Sequence, residues 1–242
     1  MSKSAKPFER GGTNDAVLVL SHRDDVPPGP GLDDGASGTG VMVELAREGM
    51  TAKTQSLAEM WAKLGYVAFA ADIFGYGQGV LPKDVPEMQA QIEIYNKDRP
   101  LMRARTQAGY DALLKSPLID PAKVASIGYC FGGGVGVEFG STGAPLVANV
   151  AIHGSFRDHA PGWAKNAKGM FLILHGAEDE GYPLPTVDKV VQELRGAKVP
   201  FQLEVYSGTG HGFSTPKNKA EERANVQSIA STTRILKELF GI

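Results

Sequence analysis

Six short apolar runs, separated by longer stretches of helical pattern, are the feature that most constrains the fold of this chain. Each run is rich in β-branched or aromatic residues and is bounded by Gly, Pro or polar residues, as is typical of strands covered on both faces. This alternation predicts β-α units and a mainly parallel sheet. The predicted strands are Val17–Leu20, Val67–Ala70, Val124–Gly128, Val147–Ile152, Phe171–His175 and Phe201–Tyr206.

The stretches between the runs predict helices that cover both faces of this sheet, which gives an α/β fold class. Right-handed crossovers would bring the loops that follow the strands to one edge of the sheet, its carboxyl edge. Ligands of open α/β sheets bind along that edge, so the functional residues are expected there. The predicted helices are Ser56–Leu64, Pro100–Leu114, Gly132–Phe139, Leu184–Leu194 and Ala220–Leu239.

A single domain over residues 1–242 is expected, because no linker divides the chain. One segment, residues 23–49, does not fit the pattern. Its first part is rich in Gly, Pro and Asp, its last nine residues have a helical pattern, and a structureless loop of such length is uncommon in a compact domain. Two interpretations stay open: a mobile lid over the site, or an insertion without catalytic consequence.

Composition excludes several classes of function. The net charge is −2, with no basic stripe to neutralise phosphates, so a nucleic-acid partner is not expected. No run of eighteen apolar residues occurs and the first ten residues are polar, which predicts a cytoplasmic protein without a membrane span. With one cysteine the chain forms no internal disulfide, so the thiol fits a reducing compartment or a reactive role.

The segment Gly128-Tyr129-Cys130-Phe131-Gly132 joins a predicted strand to a predicted helix. This is the Gly-x-nucleophile-x-Gly elbow, with cysteine at the position of the nucleophile. A helix N-terminus favours the thiolate, because its amides and dipole stabilise negative charge. The alternatives are a small buried hydrophobe or a dinucleotide site, but the flanking glycines favour the elbow and the spacing does not give G-x-G-x-x-G at the first strand.

An elbow of this kind also predicts where an oxyanion would be bound. The backbone N–H of Phe131 is expected to be one donor, and the second is expected from Ser21, His22 or Arg23 in the loop after the first strand. Tyr129, beside the cysteine, is a further candidate for substrate binding.

The nucleophile needs a base and a carboxylate that orients it, and behind such an elbow their chain order is nucleophile, acid, histidine. His211 follows the last predicted strand between two glycines, which allow a loop histidine to turn inward. Asp179 follows the fifth strand at the same sheet edge, with Glu178 and Glu180 as competitors. We therefore predict a triad of Cys130, His211 and Asp179.

The other histidines give weaker signals. His175 is expected to hydrogen-bond backbone in the loop that carries the acid, and His159 is expected at the surface. His153 follows the fourth strand, and two roles stay equally open for it: it lines the pocket, or it only packs in the core. The histidines lack metal-ligand spacing and no cysteine pair exists, so neither a metal nor another cofactor is expected.

The residues 128–133, Gly-Tyr-Cys-Phe-Gly-Gly, resemble the nucleophile elbow of the dienelactone hydrolase family, in which cysteine replaces serine. Residues 64–75 are similar to the strand that precedes the site in that family. The segments 175–179 and 210–213 are similar to its acid and histidine loops. The resemblance runs from about Gly49 to the C-terminus, and Val17–Leu20 fits as the first shared strand.

This resemblance implies an α/β-hydrolase fold and a hydrolase that opens an enol-lactone or cleaves a carboxylic ester through a cysteine. The chain departs from the family in two places. The loop after the first strand lacks the family's glutamate, and Ser214-Thr215-Pro216 stands where the family has an arginine that holds the substrate carboxylate. Arg99 and Arg103 are candidates for that task.

Three alternatives therefore stay open: a broader carboxylesterase or thioesterase with the same triad, a non-catalytic binding protein on this fold, and a redox sensor built on the thiol. The expected partner is a small ester or lactone, and the expected oligomeric state is a monomer or a small homo-oligomer.

Overall fold

The computed structural model describes residues 16–20, 52–74, 82, 84–157 and 159–241. The segment 23–49 and the residues Ser21, His22 and Arg23 lie outside this part of the chain. The described elements follow one another in this order: β1 Ala16–Leu20, α1 Ala52–Lys63, β2 Val67–Ala70, α2 Val85–Lys97, α3 Arg99–Leu113, β3 Val124–Tyr129, α4 Phe131–Gly140, β4 Ala148–Ile152, a 3₁₀ helix Trp163–Asn166, β5 Met170–Gly176, α5 Leu184–Gly196, β6 Phe201–Tyr206 and α6 Lys219–Phe240.

The described strands form one parallel sheet in the order β2-β1-β3-β4-β5-β6. This confirms the predicted parallel sheet, and each of the six predicted strands is present to within two residues at either end. The register aligns Tyr129 with Ile152 and Ile152 with Leu174. The loops that follow β3, β4 and β5 therefore leave the sheet side by side, at its carboxyl edge.

Helices cover both faces of the sheet, as the alternating side chains of β5 show. Leu172 and Leu174 belong to a buried cluster that includes residues of α1 and α6. Phe171 and Ile173 point to the opposite face and pack with α5. All four side chains are fully buried, and burial of each contributes roughly 1.5–3 kcal/mol. No helix among the described residues is long and apolar enough to cross a membrane.

Helix α2 was not predicted from the sequence. Its apolar pattern is weak, and Ile94 in its interior remains 46% exposed. The signal that marks it is at its start, where the Asp84 carboxylate accepts a hydrogen bond from the Glu87 N–H at 2.9 Å and a proline occupies the first turn. The helix matters for the site, because it brings the Tyr95 ring to 6.4 Å from the ring of Phe131.

Candidate active site

The turn between β3 and α4 holds Cys130 in a strained conformation. Its φ of 52° lies in the left-handed region, which costs a residue other than glycine about 1–3 kcal/mol. The glycines around it allow the close approach that the turn requires. A Cβ at Gly128 would overlap the carbonyl of Gly132, and one at Gly133 would lie 2.7 Å from the Cα of Gly154. Glycine is therefore a packing requirement at positions 128 and 133 of this turn, and we define the elbow as residues 128–132.

A thiol, an imidazole and a carboxylate lie in one hydrogen-bonded series beside this elbow. Nε2 of His211 is 2.8 Å from Sγ of Cys130, and Nδ1 of His211 is 2.8 Å from Oδ2 of Asp179. Cys130 is 6% exposed and Asp179 is 2% exposed, whereas the His211 side chain is 28% exposed. When Nδ1–H donates to the carboxylate, Nε2 faces the thiol as an acceptor, so the arrangement is able to remove a proton from sulfur.

The loop after β5, residues 177–183, fixes the buried carboxylate. Oδ1 of Asp179 accepts from the N–H groups of Gly181 and Tyr182, both at 3.0 Å. Burial alone would raise the pKa of Asp179, but the hydrogen bond and charge of His211 and the Tyr182 amide hold that pKa below its ordinary value. His175 donates to the Tyr182 carbonyl at 2.8 Å, which confirms its predicted role in this acid loop.

The competing carboxylates of the acid loop are placed differently. Glu180 is exposed. Glu178 accepts from the Thr209 N–H at 2.8 Å, and its own N–H donates to the Thr209 carbonyl at 3.0 Å. These two bonds join the acid loop to the histidine loop (residues 207–215). They therefore help to keep the carboxylate of Asp179 beside the ring of His211.

The segment after β4, His153-Gly154-Ser155, encloses Cys130. The Cys130 N–H donates to Nδ1 of His153 at 3.2 Å, and the Ser155 N–H donates to the Cys130 carbonyl at 2.8 Å. The Ser155 hydroxyl lies 3.6 Å from Sγ. Sequence reasoning missed Ser155, although its position just beyond β4, at the same sheet edge as the elbow, was a usable signal.

The remaining predicted site residues have different outcomes. Phe131 is the first residue of α4, so its amide lies at the helix N-terminus beside Cys130. Tyr129 is 2% exposed, and its hydroxyl accepts from the Trp61 indole N–H at 3.3 Å within the core cluster shared with α1. The Tyr129 side chain therefore faces the core, and its predicted contact with substrate stays a prediction. The reason is the alternation of strand side chains, which turns Tyr129 toward the core.

A buried carboxylate on α4 binds both of the arginines proposed for the substrate. Glu138 is 3% exposed and accepts from Arg99 at 3.1 Å and from Arg103 at 2.7 Å. His159 lies 3.0 Å from the same carboxylate with its side chain 6% exposed, so its predicted surface position is wrong. Burial would raise the pKa of Glu138, but hydrogen bonds from His159 and Arg103, together with the charges of His159 and Arg99, lower that pKa to about 2.

We expect Glu138→Gln to lower the free energy of unfolding by roughly 2 kcal/mol at pH 7, because it removes the negative charge shared by the partly exposed Arg99 and Arg103 and by the buried His159 side chain. The folded-state pKa of about 2 lies below the ordinary 4.5, so the contribution of the carboxylate is complete above pH 4.5 and is lost as the pH falls toward 2. Urea unfolding of both proteins between pH 7 and pH 3 measures this difference. The exposed Glu238→Gln is the matched control, and equal effects of the two substitutions would contradict the prediction.

Comparisons with known proteins agree with this architecture. The model of the dienelactone hydrolase family matches residues 32–240. A putative carboxymethylenebutenolidase of Synechocystis is 26% identical over an alignment of 207 positions, and the match covers 79% of this chain and 81% of the relative. This confirms the resemblance inferred from the elbow and its companion loops.

Two solved structures extend the comparison. A dienelactone hydrolase-like promiscuous phosphotriesterase from metagenomic libraries superposes with a TM-score of 0.77 at 28% identity, covering 95% of this chain and 88% of its own. An α/β hydrolase from a deep-sea metagenome of the Medee basin superposes with a TM-score of 0.53 at 16% identity, covering 95% of this chain and 86% of its own. The sheet and its flanking helices therefore form an α/β-hydrolase fold.

Proposed function

The chain belongs to the dienelactone hydrolase family, and on that premise we propose that it cleaves a lactone or carboxylic ester with Cys130 as nucleophile, His211 as base and Asp179 as the group that orients the base. The observation that carries this proposal is the Sγ–Nε2 distance of 2.8 Å, in series with a 2.8 Å contact from Nδ1 to a buried carboxylate. This geometry is what nucleophilic catalysis by a weakly acidic group requires.

Acylation is the first half of the proposed reaction. His211 takes the thiol proton, and the thiolate of Cys130 attacks the carbonyl carbon of the substrate. The N–H of Phe131 and a second donor bind the oxyanion, each donor contributing roughly 3 kcal/mol. When the tetrahedral intermediate collapses, the C–O bond breaks, and the departing alkoxide or enolate takes the proton from His211. A thioester on Cys130 is left.

Deacylation is the second half. His211 removes a proton from water, which attacks the thioester carbonyl, and the C–S bond then breaks to release a carboxylic acid. The thiolate regains its proton from His211, so the protein ends unchanged. Asp179 stabilises the imidazolium that forms in each half, which is consistent with the lowered pKa of this buried carboxyl group. In a lactone the acid and the alcohol stay in one product.

A second candidate is a carboxylesterase or thioesterase that uses the same residues on uncharged substrates. One observation favours it: Arg99 and Arg103, the arginines considered for a substrate carboxylate, both bind the buried Glu138. The stretch after the histidine, Ser214-Thr215-Pro216, supplies no cation either. If uncharged acyl esters are hydrolysed faster than a lactone that bears a carboxylate, the result supports this candidate. The reverse order would support a dienelactone-type substrate.

Trapping of the thioester tests the shared mechanism. We expect that acid quenching of the protein during turnover of p-nitrophenyl acetate leaves one acetyl group on the peptide that contains Cys130. The chain has a single cysteine, so a thioester is assigned without ambiguity. Peptide mass spectrometry is the measurement, and Cys130→Ser, which would form an oxygen ester, is the matched control. Hydrolysis with no acyl group at this position at any quench time would refute the mechanism, and a panel on which no ester or lactone reacts would favour a binding protein.

A further inference from the structure

The ring of His153 joins the elbow to the histidine loop through hydrogen bonds. The Cys130 N–H donates both to the Ile152 carbonyl at 3.1 Å and to Nδ1 of His153 at 3.2 Å. Since Nδ1 accepts, the ring proton lies on Nε2. That Nε2–H then donates to the Ser214 hydroxyl at 2.7 Å, three residues beyond His211. One side chain thus contacts the backbone of the predicted nucleophile and the loop that carries the predicted base.

Packing reinforces this bridge. The His153 ring lies with its centroid 5.3 Å from that of His211 and 5.1 Å from that of Phe213, edge to face in both cases. Its φ of 40° is in the left-handed region, and its N–H donates to the Leu174 carbonyl at 2.8 Å. A strained backbone of this kind persists only where several contacts fix it together. Within the part of the chain that the structure describes, the ionisable groups that face the ring are Cys130, His211 and Tyr129.

We propose that His153 is a positioning residue, which rests on the function proposed above: it sets the distance between Sγ of Cys130 and Nε2 of His211. The ring is fully buried and both of its nitrogens are engaged within the protein, so it does not reach substrate. It acts through the two loops that it connects. Loss of the bridge lets the elbow and the histidine loop shift relative to each other, and a displacement of about 1 Å lowers rates by about 10²-fold.

Three variants separate the two ends of the bridge. His153→Ala removes both hydrogen bonds and the ring. His153→Asn keeps an oxygen near the position of Nδ1 to accept the Cys130 N–H, and asparagine tolerates a positive φ. Ser214→Ala removes the far end alone. His159→Asn is the control, since it changes a buried histidine that contacts Glu138 and neither loop.

Two measurements distinguish positioning from a structural role. One is the rate of Cys130 alkylation by iodoacetamide against pH, and the other is the division of any loss between kcat and KM. For His153→Ala we expect kcat to fall by about 10²-fold with little change in KM, and the midpoint of alkylation to move to higher pH. His153→Asn should recover at least about tenfold in kcat, and Ser214→Ala should shift both readouts in the same direction by less. His159→Asn should lower the melting temperature without moving the midpoint.

A folded His153→Ala with the wild-type kcat and midpoint would overturn the proposal. If His153→Ala does not fold, Ser214→Ala decides, and no shift in either of its readouts would equally overturn it. Failure of the proposed function shows itself differently, as undiminished hydrolysis by Cys130→Ala. Alkylation needs no substrate, so the effect of His153 on the thiol would still be measured in that case.

Discussion

Replacement of Cys130 by alanine is expected to reduce ester hydrolysis by at least about 10⁴-fold, the largest effect of any single substitution in this chain. The reason is the position of the sulfur: Sγ lies 2.8 Å from Nε2 of His211 and 3.6 Å from the Ser155 hydroxyl. Without the thiol, acylation of the protein is not expected. Only the modest rate enhancement from oxyanion binding and substrate orientation should remain. Initial rates on p-nitrophenyl acetate and on a lactone measure the effect.

Cys130→Ser is the informative companion. It keeps a nucleophile of similar size in contact with the same base, but a hydroxyl is far less acidic than a thiol, so its activity should lie between those of the wild type and Cys130→Ala. Melting temperatures of both variants are needed, because the side chain is buried within a strained turn. If Cys130→Ala is folded and as active as the wild type, the cysteine has no part in the reaction.

Replacement of His211 by alanine is expected to lower kcat by about 10³–10⁵-fold, the second largest effect. The variant loses the only described acceptor within 3 Å of Sγ together with the partner of Asp179. On the proposed mechanism the thiol and the imidazole act as one unit, so the double variant with Cys130→Ala should be no slower than the worse single variant. Stopped-flow or initial-rate kinetics on the three proteins provide the measurement.

Added imidazole supplies the control for this second prediction. The His211 side chain is 28% exposed, so a small ring has a path to the space that alanine leaves. Partial recovery of hydrolysis with added imidazole in His211→Ala, and none in Cys130→Ala, is the expected pattern. Additive losses in the double variant, with no recovery, would assign His211 a merely structural role.

The sequence allowed much of this architecture to be predicted, because its strongest signals are local. Each strand is a short apolar run between turn residues, and the elbow combines a strand end, a helix start and glycines that have no room for a Cβ. The residues Asp179 and His211 follow β5 and β6, so their common edge follows from the parallel order. The start of α2 also has a local signal, the capping residue Asp84. The apolar face of this helix is too weak to identify it by periodicity alone.

The parts that sequence reasoning could not reach depend on contacts between distant segments. His159 is buried because Glu138, two helical turns beyond the elbow, needs several cations to remain charged there. Nothing in the neighbourhood of His159 along the chain indicates that pairing. The role of Ser214 beside His153 depends in the same way on two loops meeting, and only the three-dimensional arrangement brings them together.

The depth at which the sulfur lies limits which oxidants and reagents it can meet. Cys130 is 6% exposed, beneath the ring of a neighbouring histidine and beside a serine hydroxyl. A disulfide between two chains requires both sulfur atoms to approach to about 2 Å, which a second protein surface does not achieve at a recessed atom. We therefore expect a small peroxide or haloacetamide to react with Cys130 faster than a bulky disulfide reagent or a second molecule of this chain. Such shielding argues against a covalently linked dimer, and with it against a sensor that signals by dimerisation.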